Sequence, residues 1–530
     1  MINSSEHLSF QPDTESDISS ESLSVEKMQQ AIERNGSTRF HDHLEGIFTA
    51  TDLSTRGIEN AAPGLFERIG LNLPQSIIDS MHDTMAPAES KKDLTQFIGR
   101  LSTRWLRAGL MWGILHSKET GITGEQILEE YFKAALDKLY SEGAVNVEMM
   151  MAVFNMTLEG DLSFVPTPHE RMNPTQEEKD LIKQWNEQVS IWNEQGIASQ
   201  RAPTICSYLK AFKRVVTLDD RLTWEDVPKP ELFPEQTNER LPHGQRMKVT
   251  SIIQIRRDQP TDRILMDDIS NVYPMPGKHG QDVLRNLVNY YYGVDDEGPL
   301  FGGFNIAGIE DLPDTELYRF TGFRKVLAYN NIPLNVHAGE IRMNEWINSI
   351  KDSLNFDEYN AGRDYWIPPA VRQGVNNLYV AIMDNNIGRL GHANLLTAFP
   401  VLEQRCIELG KIIEACRTSN IWTSVATEQV HAIIDEAKQI LDLRNLVLPQ
   451  VDDEAIFDMP HAYAQEAYYF AQETGLLTGD NYDEVAIYLR DKGEEALVWK
   501  KRPQKRPKKV LPYDEVPGTV VPLDELKGQN

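Results

Sequence analysis

The stretch IPLNVHAGE (Ile332–Glu340) decides how the fold is read. It opens as a short apolar run of the kind a fully buried strand requires, and it closes on His337 and Glu340 with only Ala338 and Gly339 between them. A buried strand that ends on an imidazole and a carboxylate implies a polar site at one end of the sheet. Seven further runs have a comparable form: TRFHDHLEG (38–46), AVNVEMMMAVF (144–154), MKVTSIIQI (247–255), LFGGFNIAG (300–308), IGRLGHA (387–393), IIEACRTSN (412–420) and NLVLPQVDD (445–453). Segments of helical period such as GEQILEEYFKAALDKLY (124–140) fall between them. This alternation predicts an α/β fold, a parallel (β/α)8 barrel, in which reacting groups sit at the C-terminal ends of the strands.

Composition narrows the functions open to such a barrel. The chain has 530 residues, 25% charged and 41% hydrophobic, ordinary values for a globular protein with a large core. Its formal net charge of −27 repels nucleic acid and anionic lipid, so neither is expected as a partner. Cys206, Cys406 and Cys416 form no CxxC pair, the N-terminus lacks a signal-peptide pattern and no apolar run reaches membrane-spanning length. A cytoplasmic protein is expected. Residues 1–35 read as an acidic Ser-rich tail, 36–495 as the barrel and 496–530 as a basic, Pro-containing tail. The long link between the second and third strands contains the polar helix PTQEEKDLIKQWNEQVSIWNEQ (174–195), expected as a rim excursion. The tails and this insertion are where a protein partner or a second copy would attach.

Polar residues that end strand runs are the candidates for chemistry. His41 and His43 are two apart, so on an extended chain they point the same way, as two ligands of one ion must. His337 can supply a third imidazole and Asp452, after the last apolar run, a hard oxygen. Three imidazoles and a carboxylate suit Zn²⁺ or another borderline divalent ion with one position open to water. His392 ends the sixth run, and Gly391 before it lets backbone and ring approach a reacting centre.

In this order the segments HDHLEG, FNIAGIED, NVHAGE, GRLGHA, CRTSN and VDDEAIF resemble the adenosine deaminase family of metal-dependent purine aminohydrolases, over about Thr38–Leu489. The resemblance implies the (β/α)8 barrel and a zinc site of His41, His43, His337 and Asp452. It implies Glu340 as proton donor to ring nitrogen 1 of the purine and His392 as the group that orients or deprotonates the attacking water. Asp453 and the Gly308 amide would meet ring nitrogens 7 and 3, and Glu45 would lie near the sugar. Lys91–Leu101, with Leu94 and Phe97 on its apolar face, resembles the family's lid helix.

The chain departs from the family pattern at Arg417, Ala393, Gln450, Val451 and Glu454, none of them a ligand or the proton donor. Glu45 resembles the adenine deaminase branch and disfavours a 5′-phosphate by like-charge repulsion, unless Arg256, Arg257 or Arg319 offsets it. The expected activity is deamination of adenosine or deoxyadenosine, the alternatives being adenine or an adenine nucleotide as substrate. A barrel kept as a non-catalytic interaction protein is the alternative of another class. The H-x-E/PCxxC deaminase class is excluded because no PCxxC occurs.

Overall fold

The apolar runs form strands because β-branched residues and methionine alternate there with residues that suit a second buried face. In the computed structural model the residues described are 20–42, 74–76, 109, 111–152, 176–197, 204–224, 246–257, 262–270, 276–293, 298–308, 310, 314–340, 369–417, 420, 432–451 and 461–497. Their strands are β1 (Ser37–Arg39), β2 (Ala144–Ala152), β3 (Leu222–Trp224), β4 (Met247–Arg256), β5 (Gly303–Ala307), β6 (Leu334–Ala338), β7 (Ile387–His392), β8 (Ile412–Ala415) and β9 (Val447–Pro449). All nine lie in one parallel sheet, eight of them following one another in chain order and β3 pairing with β4 off that path. With helices between the strands this is the (β/α)8 barrel. The first strand is shorter than its sequence run, so His41 stands two residues beyond it.

β3 is an addition the sequence pattern does not predict. It pairs with β4 at Met247–Val249, whereas β5 joins β4 only from Ile252 onward. β3 therefore covers the start of a strand that its barrel neighbour does not reach.

The two faces of the sheet divide with period two. Ile253, Ile255, Phe304, Ile306, Leu334, Val336, Leu390 and Ile413 join the large apolar core shared with the helices. The alternate positions, Glu148, Gln254, Asn305, Asn335, His337, Arg389 and Glu414, are also buried but face the lumen. Between β9 and β1 no strand ladder is present among the described residues. A side chain spans the gap: Gln450 accepts from the Phe40 amide at 2.9 Å and donates to the Thr38 carbonyl at 3.4 Å.

Residues 20–35, assigned by composition to a tail, are instead a helix, Ser20–Asn35. Met28, Ala31 and Ile32, spaced to share one face, are buried, and Arg34 and Asn35 both bond Asp483 of the helix Tyr482–Ala496. The apolar stripe is short, which is why composition alone concealed it. The rim helix forms as Gln176–Glu194, and its Leu181, Trp185, Val189 and Trp192 are buried in the main core. Among the described residues no helix is long and apolar enough to cross a membrane.

The Gln450→Leu variant should lose about 1–3 kcal/mol of stability, because the buried Phe40 amide then has no acceptor. Urea unfolding checks this: the midpoint falls, and an unchanged midpoint means that the clasp contributes nothing.

Candidate active site

Three imidazoles meet at the C-terminal end of the barrel. His41 follows β1, His337 belongs to β6 and His392 is the last residue of β7. The His41 and His337 rings stack with centroids 4.7 Å apart, and His392 stands edge-on to them at 5.3 and 4.9 Å. One ring nitrogen from each lies within 4.8 Å of the others, and all three residues are buried. Gly391 makes this approach feasible. A Cβ there would sit 2.7 Å from His337 Cδ2 and 3.0 Å from His41 Cε1, closer than carbon atoms approach.

Acceptors behind two of the rings fix their orientation. His41 Nδ1 bonds Glu414, and His392 Nδ1 bonds Asn420 Oδ1 at 2.9 Å. With Nδ1 as donor in each, Nε2 presents its lone pair to the centre of the cluster, as a metal ligand or proton acceptor requires. Glu414 is in turn held by Arg389, whose Nε donates to it at 2.6 Å and whose Nη1 donates to Glu148. Burial pushes the Glu414 carboxyl up, yet Arg389 and then His41 outweigh that and hold it below its ordinary 4.5.

Glu340 reaches the cluster through a turn that only glycine adopts readily. Gly339 has φ +78°, and a Cβ on it would meet Leu378 at 2.9 Å. The Gly339 and Glu340 amides each donate to Glu310 at 3.2 Å, and Glu310 also accepts from Asn377 at 2.9 Å. The turn is thus built around one buried carboxylate. It brings Glu340 Oε2 to 3.7 Å from His392 Nε2 and 3.9 Å from His337 Nδ1. Glu340 is the partly exposed member of the group.

The structure therefore brings together His41, His337, His392 and Glu340 of the residues expected from sequence. Gly308 ends the β5 segment with φ +97°, on the same end of the barrel. His43, Glu45, Asp452, Asp453 and the segment Lys91–Leu101 lie outside the described residues. Of the arginines considered for a phosphate, Arg257 does not reach the mouth. Arg257 is fully buried and donates to the Ile306, Ala307 and His337 carbonyls, and Arg319 pairs with Asp314 at 2.7 Å. Arg257 stitches strand ends together and does not face solvent.

Sequence reading passed over Glu148, Glu310, Arg389, Glu414 and Asn420. A signal existed for three of them: Glu148, Arg389 and Glu414 are single charges at alternate positions of short buried strands. The departures from the family pattern also find places. Ala393 has φ +48°, a left-handed backbone that a residue with a Cβ adopts only at a cost. Arg417 lies over the Tyr469 ring at 4.0 Å, and its amide bonds Glu466 at 3.0 Å, so it ties the turn after β8 to the helix Ala462–Glu473.

No family model and no curated protein sequence matches the chain. Among solved structures it is similar to the apo N6-methyl-AMP deaminase of Arabidopsis thaliana, at 13% identity over 89% of this chain and 94% of that one, TM-score 0.47. It is also similar to an adenine deaminase of Arthrobacter aurescens, at 13% identity over 88% and 100% of the chains, TM-score 0.43. A third similar structure is an amidohydrolase of Burkholderia ambifaria with bound Zn, at 12% identity over 91% and 96%, TM-score 0.42.

The chemistry of the donor set, three buried imidazoles of which two are oriented from behind, fits a divalent ion of the zinc type. Replacing Glu414 by Gln should weaken divalent-metal binding at the cluster about 10–100-fold, read by competition with a chromogenic chelator. The same variant tests a pH effect. Because the folded carboxyl lies below its ordinary value, its contribution to stability is complete above 4.5 and lost as pH falls through the folded value. Urea midpoints measured from neutral to acid pH should therefore fall less steeply in Glu414→Gln than in the wild type.

Proposed function

We propose that this chain is a metal-dependent purine aminohydrolase, converting adenosine or deoxyadenosine and water into inosine or deoxyinosine and ammonia. The observation that carries the reading is one carboxylate, Glu340, set 3.7 Å from His392 and 3.9 Å from His337 over a buried imidazole cluster. The motif order from HDHLEG to VDDEAIF supports the choice of a purine as substrate.

His41 and His337, with His43 and Asp452, would hold a Zn²⁺ ion. When bound, such an ion makes hydroxide available at neutral pH. The other steps belong to the chain. His392, with Nδ1 committed to Asn420, turns Nε2 toward the water and takes its proton. Glu340 gives a proton to ring nitrogen 1, so that charge does not build there as the amine-bearing carbon is attacked. The Gly308 amide and Asp453 would position the ring, and Glu45 would face the sugar. A nucleoside is favoured over a nucleotide because Glu45 would repel a 5′-phosphate, and Arg257, held inside by the His337 carbonyl, does not offset it.

The test is to incubate zinc-loaded protein with adenine, adenosine, deoxyadenosine, AMP, dAMP and ATP and follow the loss of adenine absorbance. Turnover of the nucleosides is expected; no turnover of any compound would sink the reading and leave a barrel that works through partners. Preference for a phosphorylated substrate would overturn the role given to Glu45. Glu340→Gln should keep its zinc, measured by elemental analysis, and lose about 10²–10⁴-fold in turnover.

A further inference from the structure

A second polar cluster lies inside the barrel, below the histidines, on the three adjacent strands β4, β5 and β6. Thr250 and Gln254 of β4, Asn305 of β5 and Asn335 of β6 occupy inward positions and are all nearly or fully buried. Gln254 pairs in register with Asn305, and Asn305 with Asn335, so three carboxamides form one row across three adjacent strands. Six of their side-chain atoms have no hydrogen-bond partner among the described residues: Thr250 Oγ1, Gln254 Oε1, and both Oδ1 and Nδ2 of Asn305 and of Asn335. Leaving them all unpaired would cost as much as an ordinary domain's entire net stability.

Gly303, the inward position before Asn305, puts no side chain beside them, while its register partner Ile252 packs on Met150 in a small separate cluster. A barrel lumen is ordinarily filled by layers of branched apolar side chains, and here that filling is interrupted.

We infer that Thr250, Gln254, Asn305 and Asn335 form an internal hydration site, holding ordered water in the barrel beneath the histidine cluster. The ligand class follows from the donor and acceptor balance. Three of the six atoms are carboxamide oxygens that accept, two are amide nitrogens that donate and one is a hydroxyl that does either, and water meets all three kinds. A cation would leave the Asn305 and Asn335 Nδ2 groups facing positive charge, and an anion would face four oxygens. Because Asn335 precedes His337 by two residues on the same face, the site reaches the floor of the histidine cluster. The inference does not depend on which reaction the cluster performs.

A high-resolution crystal structure of the wild-type protein tests it directly. Ordered water oxygens are expected within about 3.2 Å of the Asn305 and Asn335 carboxamides. The inference is overturned if the carboxamides bond one another or other protein groups without an intervening oxygen, or if soaking in rubidium salt reveals an anomalous scatterer at that place. In solution, oxygen-17 relaxation dispersion counts long-lived internal waters, and the double variant Asn305→Leu/Asn335→Leu should show at least two fewer than the wild type. An equal count in a folded double variant also overturns it, and the wild-type crystal structure decides the matter if that variant does not fold.

Discussion

The guanidinium of Arg389, fully buried inside the barrel, is the group on which the arrangement of the site depends. It bonds Glu148 of β2 and Glu414 of β8, reaches the Phe40 carbonyl at 3.3 Å and the Ala496 carbonyl at 3.2 Å, and lies 4.4 Å over the Phe40 ring. Its planar fork can hold two carboxylates at once, which an ammonium cannot do with the same geometry. A charge left unpaired at such depth costs several kcal/mol, so the three groups stand or fall together. Through them β1, β2, β7, β8 and the end of the helix Tyr482–Ala496 are tied to one point.

From that point order passes upward to the site. Glu414, fixed by Arg389, uses its other oxygen to orient His41, and Gly391 leaves space for the His41 and His337 rings. Beyond Gly391 the backbone takes left-handed conformations at His392 (φ +62°) and Ala393 (φ +48°). Such conformations cost about 1–3 kcal/mol each for a residue with a Cβ, and they persist here because both residues are buried. The strain turns the His392 ring toward Asn420 on one side and Glu340 on the other.

How far the sequence could be read is clear from particular elements. The runs ending in NVHAGE and GRLGHA stood out because a titratable residue closed an apolar strand, and in the structure His337 and His392 lie in one buried cluster with His41. The helix Ser20–Asn35 was hidden because only Met28, Ala31 and Ile32 mark its buried face within a Ser- and Glu-rich segment. Glu310 gave no signal, since an acid in a loop after a strand reads as solvated until the Gly339 and Glu340 amides are seen to converge on it. Arg257 misled in the other direction. A charge at a strand end suggested a mouth-facing cation, whereas three backbone carbonyls hold it inside.

By itself the sequence determined the barrel and the nomination of His41, His337, His392 and Glu340, because hydrophobic period and residue type are local properties written along the chain. Which atoms stand behind those side chains was decided only by tertiary structure. Arg389 and Glu148 are far apart along the chain, and Gln450 meets Phe40 only because the last strand returns to the first. Partners so remote leave no spacing to read. The orientation of the imidazoles, the closure of the ring and the polar lumen exist only once the sheet has curled and burial forces each polar group to find a partner.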